Sequence, residues 1–202
     1  TGSIETAGDE AHGIWNDGYE NITTVSGSIK TTGILAVGIA NYSVDENGDE
    51  LSSDSNETTV SGSIETAGAG AFGIVNLGDE NKTTVSDTGS IETVGQSASG
   101  IVNVGVGNIT TVSGSITTGD VIAGTGEEAH GIYNKGNENT TTVSDTGSIE
   151  TAGNGAFGIA NIGSENITTV SGSITTTGDE AYGIVNEGNE NRTTVSDTGS
   201  IE

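Results

Sequence analysis

The chain has no cysteine and no proline. Without cysteine no disulfide staples it, and its redox compartment is not written in the sequence. Without proline nearly every backbone N–H remains available, which suits a chain held together by strand ladders. Aromatic residues are 3% and apolar residues 30% of the 202 positions, low for a globular core. Cations are equally scarce: 4 Lys and Arg face 29 Asp and Glu, a net charge of −25. Nucleic-acid binding needs the opposite sign and is set aside. No run approaches the roughly 20 apolar residues of a bilayer-spanning helix, so no membrane span is predicted. No secretory leader is visible and the first residue is Thr, so a processed product or an excerpt of a longer chain is expected.

What is present is repetition. Gly-Ser-Ile-x-Thr-x-Gly is followed by Ala-x-Gly-Ile-x-Asn-x-Gly and then Asn-x-Thr-Thr-Val-Ser. Copies begin at Gly2, Gly27, Gly62, Gly89, Gly114, Gly147 and Gly172, and an eighth opens at Gly199. A unit this short cannot enclose a core alone; it is stable only when stacked on its neighbours. The 34 glycines imply many tight turns. Acidic chains poor in aromatics are often disordered, but Ile and Val recur here in strict register. Additions between copies fall where Gly, Ser and Asp cluster, as expected of turns.

Positions that never vary mark the interior. They are the columns of Ile4, Ile14 and Val25, joined by the small-residue column of Ala11. The three large columns are β-branched and favour strands. Period-two alternation then turns Asn21, Thr23 and Val25 inward and leaves Ile22 and Thr24 outward. The prediction is an all-β fold: one domain over 1–202, a parallel β-helix of about seven coils of roughly 25 residues with three short strands each. At about 4.8 Å per coil the rod is roughly 34 Å long. Two Asn columns, those of Asn16 and Asn21, are expected to hydrogen-bond from coil to coil like the amide ladders of cross-β stacks. Asn also tolerates the left-handed backbone that a corner needs.

The phrase Asn-x-Thr-Thr-Val-Ser-Gly-Ser-Ile-x-Thr followed by Ala-x-Gly-Ile-x-Asn-x-Gly resembles the β-helix repeats of autotransporter passengers and filamentous-haemagglutinin-like adhesins. The resemblance runs the whole chain and implies a secreted, surface-attached, non-catalytic rod. Repeats of this vocabulary also suit an extracellular filament or sheath.

Several motifs remain to be placed. Asn-x-Thr recurs at the Asn21 column and Asn-Tyr-Ser occurs at Asn41. These are formal glycosylation acceptors. An inward Asn cannot carry a glycan, so Asn41 and Asn56, which flank the longest insertion, are the candidates. In that insertion Asp45, Asn47 and Asp49 are candidate calcium ligands, set against a plain solvated acidic loop. No other cofactor is expected. Outside the inward pattern runs an apolar stripe containing His12, Trp15, Phe72, Tyr133, Phe157 and Tyr182. Such a stripe marks a contact surface for another rod or for cell-surface glycans, unless a loop covers it. The outward Thr24 column invites comparison with ice-binding solenoids, although β-branched Thr suits any exposed strand. Ser, Asp and Glu recur in nearly every coil, whereas a catalytic group is singular; no enzyme is expected. The ends of the given sequence carry no change of composition, so a longer array or end-to-end self-association is expected. The leading expectation is a structural component at the cell surface or outside the cell. An adhesin is second and an ice-binding protein third.

Overall fold

In the computed structural model, described for residues 2–42, 55–119 and 128–202, the chain is a parallel β-solenoid with three strands per coil. The first coil sets the pattern: β1 Ser3–Ala7, β2 Ile14–Asp17 and β3 Ile22–Val25. Each strand pairs only with its equivalents in neighbouring coils. This generates an eight-stranded sheet A from β1 onward and seven-stranded sheets B and C from β2 and β3. The last strand of sheet A is Ser200–Ile201. Register follows the repeat without slippage: Ile4 opposes Ile29, Asn16 opposes Asn41 and Val25 opposes Val60. The period-two pattern explains why, since a one-residue slip would turn every Ile outward.

The core is a thin column. Ile64, Ile91, Ile116 and Ile149 from sheet A meet Ile74, Ile101 and Ile132 from sheet B and Val85, Val112 and Val143 from sheet C, all at 1% exposure or less. Burying each such side chain contributes about 1.5–3 kcal/mol. Exposure rises in the outermost coils, to 38% at Ile4 and 44% at Val195, because each coil is roofed by the next. The Ala11 column closes the core, and its carbonyls accept hydrogen bonds from inward Thr hydroxyls, as from Thr31 to Ala36 at 2.7 Å. Thr93 bonds Ala98 in the same way.

Glycine is required where sheet B begins. A Cβ built on Gly100 would lie 2.4 Å from Ile116 Cγ2 and 2.7 Å from the Gly131 carbonyl oxygen of the next coil. No larger residue allows the coils to close to one strand spacing there. The left-handed corners are a different matter, because they are occupied mostly by Glu. Glu10, Glu20, Glu80, Glu128, Glu138, Glu165, Glu180 and Glu190 have φ between 56° and 60°. The sequence pattern assigned left-handed tolerance to Asn; the residues that take it precede the Asn21 column, as Glu138 does, or the Ala11 column, as Glu128 does. Asn itself stays at negative φ because its side chain is needed inside.

The two Asn columns do different work. In sheet B the amides stack directly. Asn103 Nδ2 donates to Asn134 Oδ1 at 2.8 Å and to Thr110 Oγ1 at 3.1 Å, while its Oδ1 accepts from Asn76 Nδ2 at 2.7 Å. The pattern runs unbroken from Asn16 to Asn186. At the corner the amide oxygen instead accepts a backbone N–H from the coil before, as Asn108 Oδ1 does from Asn81 N at 2.9 Å.

Candidate contact face

Sheet B turns Ile and Asn inward and its alternate residues outward, so its outer face is built from the Trp15 column and the next outward column, which begins at Asp17. The His12 column borders it on the approach to the strand. The Trp15 column holds Ala40, Val75, Val102, Tyr133 and Ala160; the second holds Tyr42, Leu77, Val104 and Ile162. The sequence stripe included the first and missed the second. The missing signal was the simple i+2 continuation from Trp15, obscured because Asp17, Lys135 and Glu187 interrupt it.

The six residues picked out by sequence do not form one exposed stripe. Trp15 and Tyr182 are 51% and 56% exposed, while His12, Phe72, Tyr133 and Phe157 are half-buried. Between the two ends Val37, Ala40 and Val75 are buried, packed with Tyr42, Phe72, Leu77 and Val102. The rings fall into two stacks. His12, Trp15 and Tyr42 form one, with the last pair 4.4 Å apart and 9° from parallel. Tyr133, His130 and Phe157 form the other, with His130 and Phe157 4.8 Å apart and Tyr182 tilted 36° against Phe157. Trp15, His130 and Phe157 each have two ring neighbours, so at the half-buried His130 and Phe157 ring face is spent on ring face, while Trp15 keeps half its surface in solvent. Stacking of this kind adds about 0.5–1.5 kcal/mol per pair beyond burial.

The histidines also cap backbone. His12 Nδ1 accepts from Val37 N at 3.1 Å and His130 Nδ1 from Phe157 N at 3.0 Å. Ser99 Oγ does the same for His130 N at 3.1 Å. An accepting Nδ1 fixes the neutral tautomer protonated at Nε2. Burial holds the His130 imidazole below the ordinary histidine value, with the Glu128 carboxylate acting the other way. Burial pushes the Tyr42 hydroxyl above the usual phenol range.

Acidic corners flank the face. Near one of them Gln96, Ser97, Glu128, Asn154, Asp179 and Glu180 line an open hollow of about 470 Å³. Among the described residues no group of three His, Cys, Asp or Glu is placed to hold a metal ion. The candidate calcium ligands Asp45, Asn47 and Asp49 lie outside the described residues.

Asn41 and Asn56, the glycosylation candidates, are each 1% exposed. The Asn41 amide nitrogen is spent on Thr58 and Asn76. Asn56 Oδ1 accepts from Asn21 N. Neither presents its amide nitrogen to a glycosylating enzyme in the folded coil, because the inward pattern holds right up to the edges of the insertion. The outward Thr column is in place, half-buried from Thr59 to Thr169. Beside it stand Ile22, Glu57, Lys82 and Arg192, which break any uniform hydroxyl array.

Compared with known proteins, the chain matches no family model, no curated protein and no solved structure.

Proposed function

We propose that the chain is a non-catalytic structural element of an extracellular filament, sheath or adhesin stalk. The observation that carries this reading is the unbroken axial ladder. In a solenoid the strands lie across the rod and their hydrogen bonds run along it, so tension on the rod loads three parallel backbone ladders together. The Asn ladder of sheet B adds a fourth, side-chain line inside the core. Repetition supports the same reading, since the interior is uniform while chemistry-bearing side chains are scattered outside. Association of rods end to end or side by side, and life at the cell surface, belong to the proposal.

The test is antibody labelling of producing cells, read by electron microscopy, together with negative staining of the purified protein. Label along surface filaments or a sheath, with rods or fibres in the purified sample, is the expected result. Label confined to the cytoplasm would overturn the reading.

A further inference from the structure

The outer face of sheet B has a shape and a charge pattern that choose a partner. It extends over seven strands, six spacings of about 4.8 Å, so it is roughly 29 Å long. Its four-residue strands make it about 13 Å wide. The surface carries apolar side chains at Leu77, Val102, Val104 and Ile162, all half-buried, beside the buried Ala40 and Val75. Both edges are acidic. Glu10, Glu128 and Glu180 stand at the corner before the sheet, and Glu80, Glu138 and Glu165 at the corner after it, all exposed. The four cations of the chain are Lys30, Lys82, Lys135 and Arg192. None lies in these corners, and Lys30 and Lys82 are paired with Glu65 and Glu57. Only Lys135 reaches the face, where it stands between Val104 and Ile162 in the same outward column and interrupts the apolar row once.

We propose that this face docks a cationic amphipathic helix lying lengthwise along the rod. An α-helix is about 10–12 Å across and rises 1.5 Å per residue, so about 19 residues match the face in both dimensions. Its apolar stripe would cover the aliphatic centre, and Lys or Arg on its two flanks would meet the acidic corners. A second copy of this chain is the poorer occupant, because it would set Glu rim against Glu rim at a net charge of −25 each. Sugars are poorer too, because the rings stack on one another. This docking is independent of whether the rod carries mechanical load.

Trp15, the single tryptophan, sits on the face at 51% exposure and reports directly. The probes are a helical 19-residue Leu/Lys peptide and a Lys/Ser peptide of equal charge, titrated against the whole chain at moderate salt. The expected result is about tenfold tighter binding of the Leu/Lys peptide, equivalent to 1.4 kcal/mol, with a blue shift of Trp15 emission. Methyl resonances of Leu77, Val104 and Ile162 should move. Those of Ile109 and Ile167, 45% exposed on the outside of sheet C, should stay. The double variant Leu77→Lys, Ile162→Lys should lose the preference; its column already holds Lys135, so folding is expected to survive. Equal binding of both peptides without a Trp15 shift would overturn the proposal. So would methyl shifts spread over sheets B and C alike, or sedimentation showing that copies of the chain already cover the face. The methyl pattern needs no variant and decides the matter even where the double variant does not fold.

Discussion

The two Asn columns occupy the same coils and carry the same side chain, yet one is complete and the other is not. In sheet B each amide from Asn16 to Asn161 donates both its hydrogens and finds the same partners in every coil. At the corner the Oδ1 acceptor is constant but Nδ2 is not. Asn21 and Asn81 donate to a Gly carbonyl of their own coil, Gly18 and Gly78. Asn139, Asn166 and Asn191 donate to Gly105, Gly136 and Gly163 of the coil before. Asn108 stands where the direction changes, with Gly78 taken by Asn81 and Gly105 taken by Asn139, and its Nδ2 has no partner among the described residues. Among the described residues Asn56 Nδ2 has none either. A strand imposes one geometry on every copy, whereas a corner admits two, and the junction between the two leaves an orphan.

The widest test of this contrast is to delete one amide from each column in the same coil. Asn103→Ala strands Asn76 Nδ2 and Asn134 Oδ1 inside the core and removes the donor to Thr110. An unmade buried hydrogen bond costs about 1–3 kcal/mol per group, and ladders couple their members. A loss of about 3 kcal/mol is expected in urea unfolding. Asn108→Ala orphans only the Asn81 N–H and removes a nitrogen that already lacked a partner, so about 1 kcal/mol is expected. Equal losses would mean that the ladder in sheet B is no more than a row of independent contacts.

A second test uses acceptors on the outside. His12 and His130 receive a backbone N–H from the following coil, the reverse of the corner Asn, which receives one from the coil before. Unlike an amide, an imidazole can lose its acceptor by protonation. Because burial depresses the His130 pKa, the folded state binds this proton less readily than the unfolded chain. Its contribution is therefore full above the unfolded value of about 6.5 and is lost as pH falls through the lower folded value. Carboxylates shift the background as pH drops, so the informative quantity is a difference. His130→Ser keeps an acceptor of the kind Ser99 provides but does not titrate. The stability gap between wild type and variant should shrink as pH falls from about 7.5 to about 5, because only the wild-type acceptor is lost to protonation. A constant gap would show that the Nδ1 bond contributes nothing.

The sequence carried most of the architecture and little of the chemistry at its corners. Invariant Ile4, Ile14 and Val25 columns and the alternation through Asn21, Thr23 and Val25 fix strand number, register and interior, because each is a period that packing enforces. The inward Asn41 was equally readable from its column, yet its place beside the insertion made it look like a glycan acceptor; burial is decided by the column and not by the neighbouring loop. The contact face was half legible. Trp15 and Tyr182 announced it, but Leu77, Val104 and Ile162 share a column with Asp17, Lys135 and Glu187, and a mixed column reads as solvent. Asn108 was not legible at all, since its orphaned nitrogen depends on which carbonyl two neighbours have chosen.

The smallest effect lies one residue before the corner ladder. Glu138 holds φ at 58° and Glu165 at 60°, where an L-residue pays about 1–2 kcal/mol relative to glycine. The coil containing Asn108 is the exception, with Gly107 at φ 71° in that position. Glu138→Gly should relieve the backbone strain but increase the freedom of the unfolded chain by about 0.5–1 kcal/mol. The Glu138 backbone N–H, bonded to the Ser164 carbonyl at 3.0 Å, is untouched by the change. A net gain of about 0.5 kcal/mol is expected in the unfolding midpoint. Removing one carboxylate from a chain of net charge −25 works in the same direction, so the control is Glu150→Gln, an exposed Glu in a strand of sheet A without positive φ. If the control gains as much as Glu138→Gly, the benefit is charge and not backbone. The corners would then carry no conformational strain, and the irregular donation of the corner amides could not be traced to it.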